Sequence, residues 1–145
     1  MKKIILIILI TICSYAQSKF NDPQPTFENP RKLVINLHND DLDTVNHTIG
    51  SIYNILKEYP SDTLKVAVVL YGKGMRAIKK DYDKNTLARI TSLMEYDVEF
   101  VGCRNTMETM NWKDDDFIDG VEFVQAGIVE VIERQMIGYV GITPY

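Results

Sequence analysis

A single α/β domain built on one mostly parallel sheet is what this sequence predicts, and three observations carry that expectation. Short β-branched apolar runs alternate with longer stretches whose apolar residues recur at helical spacing, the pattern of strands joined by crossover helices. The run Leu64 to Tyr71 is almost continuously apolar from Val66 onward, as expected of a strand covered on both faces. The chain has 145 residues with 46% hydrophobic and 25% charged, an ordinary globular composition of single-domain size.

The first sixteen residues stand apart from that domain. Lys2 and Lys3 form a short positive region, Ile4 to Ile12 is apolar except for one Thr, and Ser14-Tyr15-Ala16 supplies small residues at the two positions a signal peptidase inspects. This predicts a secretory signal peptide cleaved after Ala16, and hence a periplasmic or secreted protein. The apolar run is short of the roughly 20 residues that span a bilayer, so no stable membrane insertion is expected after cleavage. An uncleaved N-terminal anchor is the alternative. A lipoprotein signal would modify Cys13, but bulky Ile12 stands where such sites carry a small residue. Loss of the segment takes the net charge from −4 to −6 and leaves Cys103 as the one cysteine. With that charge and no stripe of Lys and Arg, a nucleic-acid partner is not expected.

Residues 17–31 carry Pro23, Pro25 and Pro30 and read as an extended arm, disordered or laid along the surface. The domain proper spans 32–145. Lys32 to His38 is the first strand, and Asn39 to Asp43 is a loop rich in helix-capping residues. Val45, Ile49, Ile52 and Leu56 mark one face of a helix over Thr44 to Tyr59, which Pro60-Ser61-Asp62 ends. Leu64 to Tyr71 is the second strand, Gly72-Lys73-Gly74 the turn after it, and a short helix from Met75 to about Lys80 follows. Asp83-Lys84-Asn85 caps a helix over Thr86 to Met94. Val98 to Gly102 is the third strand. Thr106 to Trp112 reads as a helical turn or an ordered loop. Val121 to Val124 is a fourth strand. Gly127 to Met136 fits a helix, with strand as an alternative because of its β-branched content. Tyr139 to Ile142 is the last strand.

Cys103 draws attention because it sits at the C-terminal end of the third strand, where open parallel sheets hold ligands. A lone cysteine in an exported protein is buried and inert, paired with another molecule, or a free reactive thiol. Arg104 beside it, and backbone N–H groups of a helix opening at Asn105-Thr106, would favour the thiolate, which is the reactive form. The competing reading is a buried structural cysteine. No second cysteine is near, so a CxxC mechanism is excluded. His38 ends the first strand on the same edge, but a Cys–His hydrolase also needs an oxyanion hole and an orienting group. Lys73 and Arg76 would bring positive charge to the crevice. Met110 and Trp112 would wall it or join the core. Asp40, Asp41 and Asp43 lack calcium-loop spacing and are read as helix caps, Asp114 to Asp116 as a solvated run. The phosphate-loop and dinucleotide fingerprints are absent. No metal or cofactor is expected.

Taken together, Leu33 to His38, Val68 to Gly74, Phe100 to Met107, Asp119 to Ile128 and Arg134 to Tyr139 resemble the DsrE/DsrF-like family of small α/β sulfur-handling proteins. The Cys103-Arg104-Asn105-Thr106 segment, Val124-x-x-Gly127 and Arg134-Gln135-x-x-Gly138-Tyr139 carry the resemblance jointly. It implies a three-layer α/β/α sandwich with a five-stranded sheet, flavodoxin-like in general architecture, and a homo-oligomer, often a trimer or hexamer. It further implies that Cys103 carries sulfane sulfur as a persulfide and passes it to a partner protein. In that reading Cys103 and Arg104 are the catalytic candidates, and His38, Lys73, Asn105 and Thr106 the binding ones. The alternative function is a non-catalytic oligomeric module that uses the same crevice for a small anion or a partner segment.

Overall fold

The structure is a computed structural model and describes residues 18–143; the expected signal segment lies outside them. Five strands form one sheet in the order β4-β3-β2-β1-β5, parallel throughout. The strands are β1 (Arg31–Leu37), β2 (Leu64–Leu70), β3 (Glu99–Cys103), β4 (Glu122–Val124) and β5 (Val140–Ile142). The helices are α1 (Leu42–Glu58), α2 (Lys84–Glu95), α3 (Arg104–Met110) and α4 (Gly127–Met136), with short 3₁₀ turns at Gly72–Ile78 and Asp114–Asp116. The helix alternative for Gly127 to Met136 is therefore the one realised. The short helix expected from Met75 to about Lys80 is a 3₁₀ helix that starts earlier, at Gly72, taking in the expected turn, and ends at Ile78.

The local causes are those of the sequence. Asp41 caps α1 by accepting from the Thr44 N–H at 2.9 Å, and Asp83 caps α2 by accepting from the Thr86 N–H at 2.8 Å. The capping role expected of the Asp40–Asp43 group falls to Asp41, while Asp40 pairs with Arg76 at 3.5 Å. The proline-rich arm lies along the surface. Phe20 packs on Tyr59 with centroids 4.7 Å apart, and the Arg31 guanidinium donates to the Asn21 and Pro23 carbonyls.

Topology decides where the site falls. From β1 the chain steps outward through β2 and β3 to β4, then returns past β1 to lay β5 on the far edge. Parallel crossovers are right-handed, so reversing the direction of travel moves the connection to the other face of the sheet. One face accordingly carries the main core. There Ile35, Leu37, Val68, Leu70 and Phe100 pack against Val45, Ile49 and Ile52 of α1, Ile90 and Leu93 of α2, and Met107 of α3. Among the described residues, the other face is covered by α4, over a small cluster of Val34, Val69, Val101 and Val131.

Candidate functional site

Strands β3 and β4 are neighbours whose connections leave toward opposite faces, β3 through α3 and β4 through α4. The connections beyond their paired ends diverge, and this is the place where a parallel sheet opens a crevice. Cys103 and Val124 are register partners at that point. The crevice has a volume of about 370 Å³ and is lined by Tyr71, Gly72 and Cys103, by Asn105, Thr106, Thr109 and Met110 of α3, and by Ala126, Gly127 and Ile128 at the start of α4.

The strand end is held in place by the Cys103 N–H, which lies 3.2 Å from the Met75 sulfur. The thiol lies 3.8 Å from the Gln125 carbonyl. Burial pushes the Cys103 thiol up, but four hydrogen bonds act the other way and win: from the Gly127 N–H, the Thr106 hydroxyl, the Thr106 N–H and the Asn105 N–H. The thiol is thus held below its ordinary value by neutral donors alone. Thr106 is fixed in that role because its Oγ1 accepts from the Gly72 N–H at 2.9 Å, which turns its hydroxyl hydrogen toward another acceptor.

Gly127 makes the arrangement sterically feasible. A Cβ on it would stand 3.2 Å from the Cys103 Cβ and 3.3 Å from the Tyr71 Cβ. Only a residue without a side chain lets the first turn of α4 come this close to the sulfur.

The expected site residues separate into two groups. Cys103, Asn105 and Thr106 come together in the crevice, and of the two places open to Met110, wall or core, it takes the wall. Arg104 does not face the sulfur. Its guanidinium pairs with Asp114 at 3.1 Å and lies 5.2 Å over the Phe123 ring. His38 is exposed and stacks on Tyr71 at 6.1 Å, with Tyr71 itself forming the crevice wall. Lys73 is exposed and outside the lining, Arg76 is engaged by Asp40, and Trp112 packs edge-on against buried Phe117. Residues not singled out from the sequence as site members are Gly127, Tyr71, Thr109, Ala126, Ile128 and Gln125. Gly127 had a signal, the Val124-x-x-Gly127 spacing, but no local pattern ties it to a sulfur 24 positions earlier. Among the described residues no group of three or more His, Cys, Asp or Glu side chains is placed to hold a metal ion.

A buried thiol held by backbone and hydroxyl donors at the switch point of a parallel sheet defines a class of small α/β thiol protein. Residues 33–144 match the DsrE/DsrF-like family, and the chain belongs to it. Among solved structures, the chain is similar to a protein of unknown function, MTH1491, from Methanobacterium thermoautotrophicum. The two are 25% identical with a TM-score of 0.73, over 79% of this chain and 99% of that one. No curated protein matches the chain significantly.

Proposed function

We propose that the protein is an exported sulfur carrier that holds sulfane sulfur as a persulfide on Cys103 and passes it to a partner. The observation that carries the reading is the thiol itself, placed at the sheet's switch point with its anion stabilised by four neutral donors. The Cys103 thiolate attacks the sulfane sulfur of a donor. The new Sγ–S bond forms as the donor's S–S bond breaks, and the donor departs as a thiolate. An acceptor thiolate then attacks the outer sulfur of Cys103–S–SH and restores the Cys103 thiolate. Export rests on the charged, apolar and small-residue order of residues 1–16.

The carrier is proposed to act as a homo-oligomer whose copies meet on α4. Met136 is 77% exposed, Ile128 59% and Ile132 50%, with Val129 and Ile137 exposed beside them. Such a group exceeds the scattered apolar residues normal on a monomer surface.

Intact mass of the mature chain after incubation with polysulfide tests the chemistry. The expected result is a gain of about 32 Da per transferred sulfur, removed by dithiothreitol and absent in Cys103→Ser. No adduct under conditions where Cys103 alkylates would sink the carrier reading. The second reading, a binding module using the same crevice, would then lead. It is favoured by the low exposure of Cys103, 5%.

A further inference from the structure

Charge is distributed around the Cys103 crevice in a way that bears on what enters it. Among the described residues, no Lys, Arg or His lines it. The cations nearest in sequence are engaged elsewhere or outside: Arg104 with Asp114 and Phe123, Arg76 with Asp40, Lys73 beyond the lining. A carboxylate does stand close by. The Gln125 amide donates to Asn105 Oδ1 at 2.6 Å and to Glu108 Oε1 at 3.1 Å, which ties Glu108 to the lining residue Asn105. Tyr71, Met110, Ala126 and Ile128 make much of the wall apolar.

We infer that the crevice admits uncharged sulfane compounds with apolar substituents, organic persulfides in their protonated form, and excludes thiosulfate and sulfite. The inference rests on the sulfur-carrier reading and names the substrate class of that site. The converging donors offset one negative charge, that of the thiolate. Thiosulfate would bring two more to bonding distance, and sulfite would leave with two, between apolar walls that screen charge poorly. For an organic persulfide the step balances without a cation. Cys103 Sγ⁻ attacks the outer sulfur of R–S–SH. The Sγ–S bond forms, the donor's S–S bond breaks with its electron pair on R–S⁻, and the proton stays on the transferred sulfur. One negative charge enters and one leaves.

Paired alkylating agents of nearly equal size test the selection apart from sulfur chemistry. Iodoacetamide is neutral and iodoacetate is an anion. On the mature chain, the ratio of their rates at Cys103 should exceed the ratio for free cysteine by at least about tenfold, the size expected for repulsion between like charges at a poorly screened site. Met110→Lys places a cation on the exposed wall and should bring the ratio back toward that of free cysteine. A ratio equal to that of free cysteine, or one unmoved by Met110→Lys, overturns the inference. In the sulfur arm, an alkyl persulfide should load Cys103 while thiosulfate does not, each rate normalised to free cysteine. Equal normalised loading by thiosulfate also overturns it. If no donor loads the thiol while the alkylation ratio holds, the charge selection stands and the carrier reading is what has failed.

Discussion

Replacing Thr106 by Val removes one hydroxyl and leaves the shape of the side chain nearly unchanged. In the native protein that hydroxyl accepts from the Gly72 N–H at 2.9 Å and is one of the groups that hold the Cys103 thiol below its ordinary value. Two consequences follow, and they are measured separately. A hydrogen bond to a charged group contributes about 1.5–3 kcal/mol. Sulfur is a diffuse acceptor, so the lower end applies, and about 1.4 kcal/mol is a tenfold smaller thiolate population below the midpoint. A more basic thiolate is also a better nucleophile, with a Brønsted slope of about 0.4–0.5, which returns roughly threefold. The iodoacetamide rate well below the midpoint should therefore fall about threefold, and the plateau at high pH should rise by a similar factor. The profile shifts to higher pH and crosses the native one. The second consequence is the half-buried Gly72 N–H left without its acceptor, a loss of about 1–2 kcal/mol in urea unfolding. Thr106→Ser keeps the hydroxyl and should restore the native pH profile. An unchanged profile in Thr106→Val, with stability reduced, would show that Thr106 braces the loop and does not act on the sulfur.

Gly127→Ala should also move the alkylation profile to higher pH, because the new Cβ forces the first turn of α4 away from Cys103 by a few tenths of an ångström. The gain in helix propensity, up to about 1 kcal/mol, offsets much of the steric cost, so urea stability should change little while reactivity changes clearly. Arg104→Ala breaks a largely exposed ion pair, and should cost under about 1 kcal/mol and leave the Cys103 pH profile where it is. Arg134→Met removes the partner of Glu99 at 2.6 Å and Glu130 at 2.7 Å, and should cost about 2–3 kcal/mol by urea unfolding, discounted for the exposure of Glu99. The Asp41 carboxyl is held below its ordinary 3.8 chiefly by the Thr44 N–H, and Asp83 chiefly by the Thr86 hydroxyl and N–H. Their folded values are depressed, so the contribution is present above pH 3.8 and is lost as pH falls through the folded values. In Asp41→Asn with Asp83→Asn, the urea midpoint should depend less steeply on pH in that acid range.

Much of this fold was legible before the structure, for reasons that are local. β-Branched runs such as Val66 to Leu70 can be buried strands and little else once turn residues bound them. Asp83 three residues before Thr86 is a cap whichever fold surrounds it. The site was legible only in part, because it depends on which strands become neighbours. Nothing between Cys103 and Gly127 reveals that β4 lies beside β3 and sends its helix to the opposite face. Arg104 misled for a related reason. The strand ends at Cys103, whose Cβ faces the Gly127 backbone of α4, while Arg104 already belongs to α3 and its half-exposed guanidinium lies over Phe123 and pairs with Asp114. Closeness in sequence suggested an electrostatic partner, and the turn from β3 into α3, with the pairing to Asp114, excluded it. The segment Thr106 to Trp112 was open between loop and helix. Its helix is settled by tertiary packing, with buried Met107 seated among the core side chains of the first face.

The crossover from β4 to β5 accounts for two features that look independent. It takes the chain from one edge of the sheet to the other, so it must pass over the face that α1 and α2 do not cover. Its helix begins beside Cys103 and delivers the Gly127 N–H to the sulfur. Among the described residues the same helix has no helical neighbour on its face, buries little beyond Val131, and leaves Ile128, Val129, Ile132 and Met136 exposed. Ile128 belongs to both features, as a lining residue of the crevice and as the first of the exposed side chains. A copy docked on α4 would thus stand at the mouth of the crevice without displacing any donor from the thiol. The proposed assembly and the proposed chemistry then need one structural cause between them, the reversal of chain direction after β4. Ile132→Lys separates them: it should lower the oligomeric mass in sedimentation and leave the pH midpoint of Cys103 alkylation unchanged, since the donors all lie within one chain. A midpoint that moved with dissociation would mean that the neighbouring copy supplies part of the field at the sulfur, and that the four donors within the chain do not suffice.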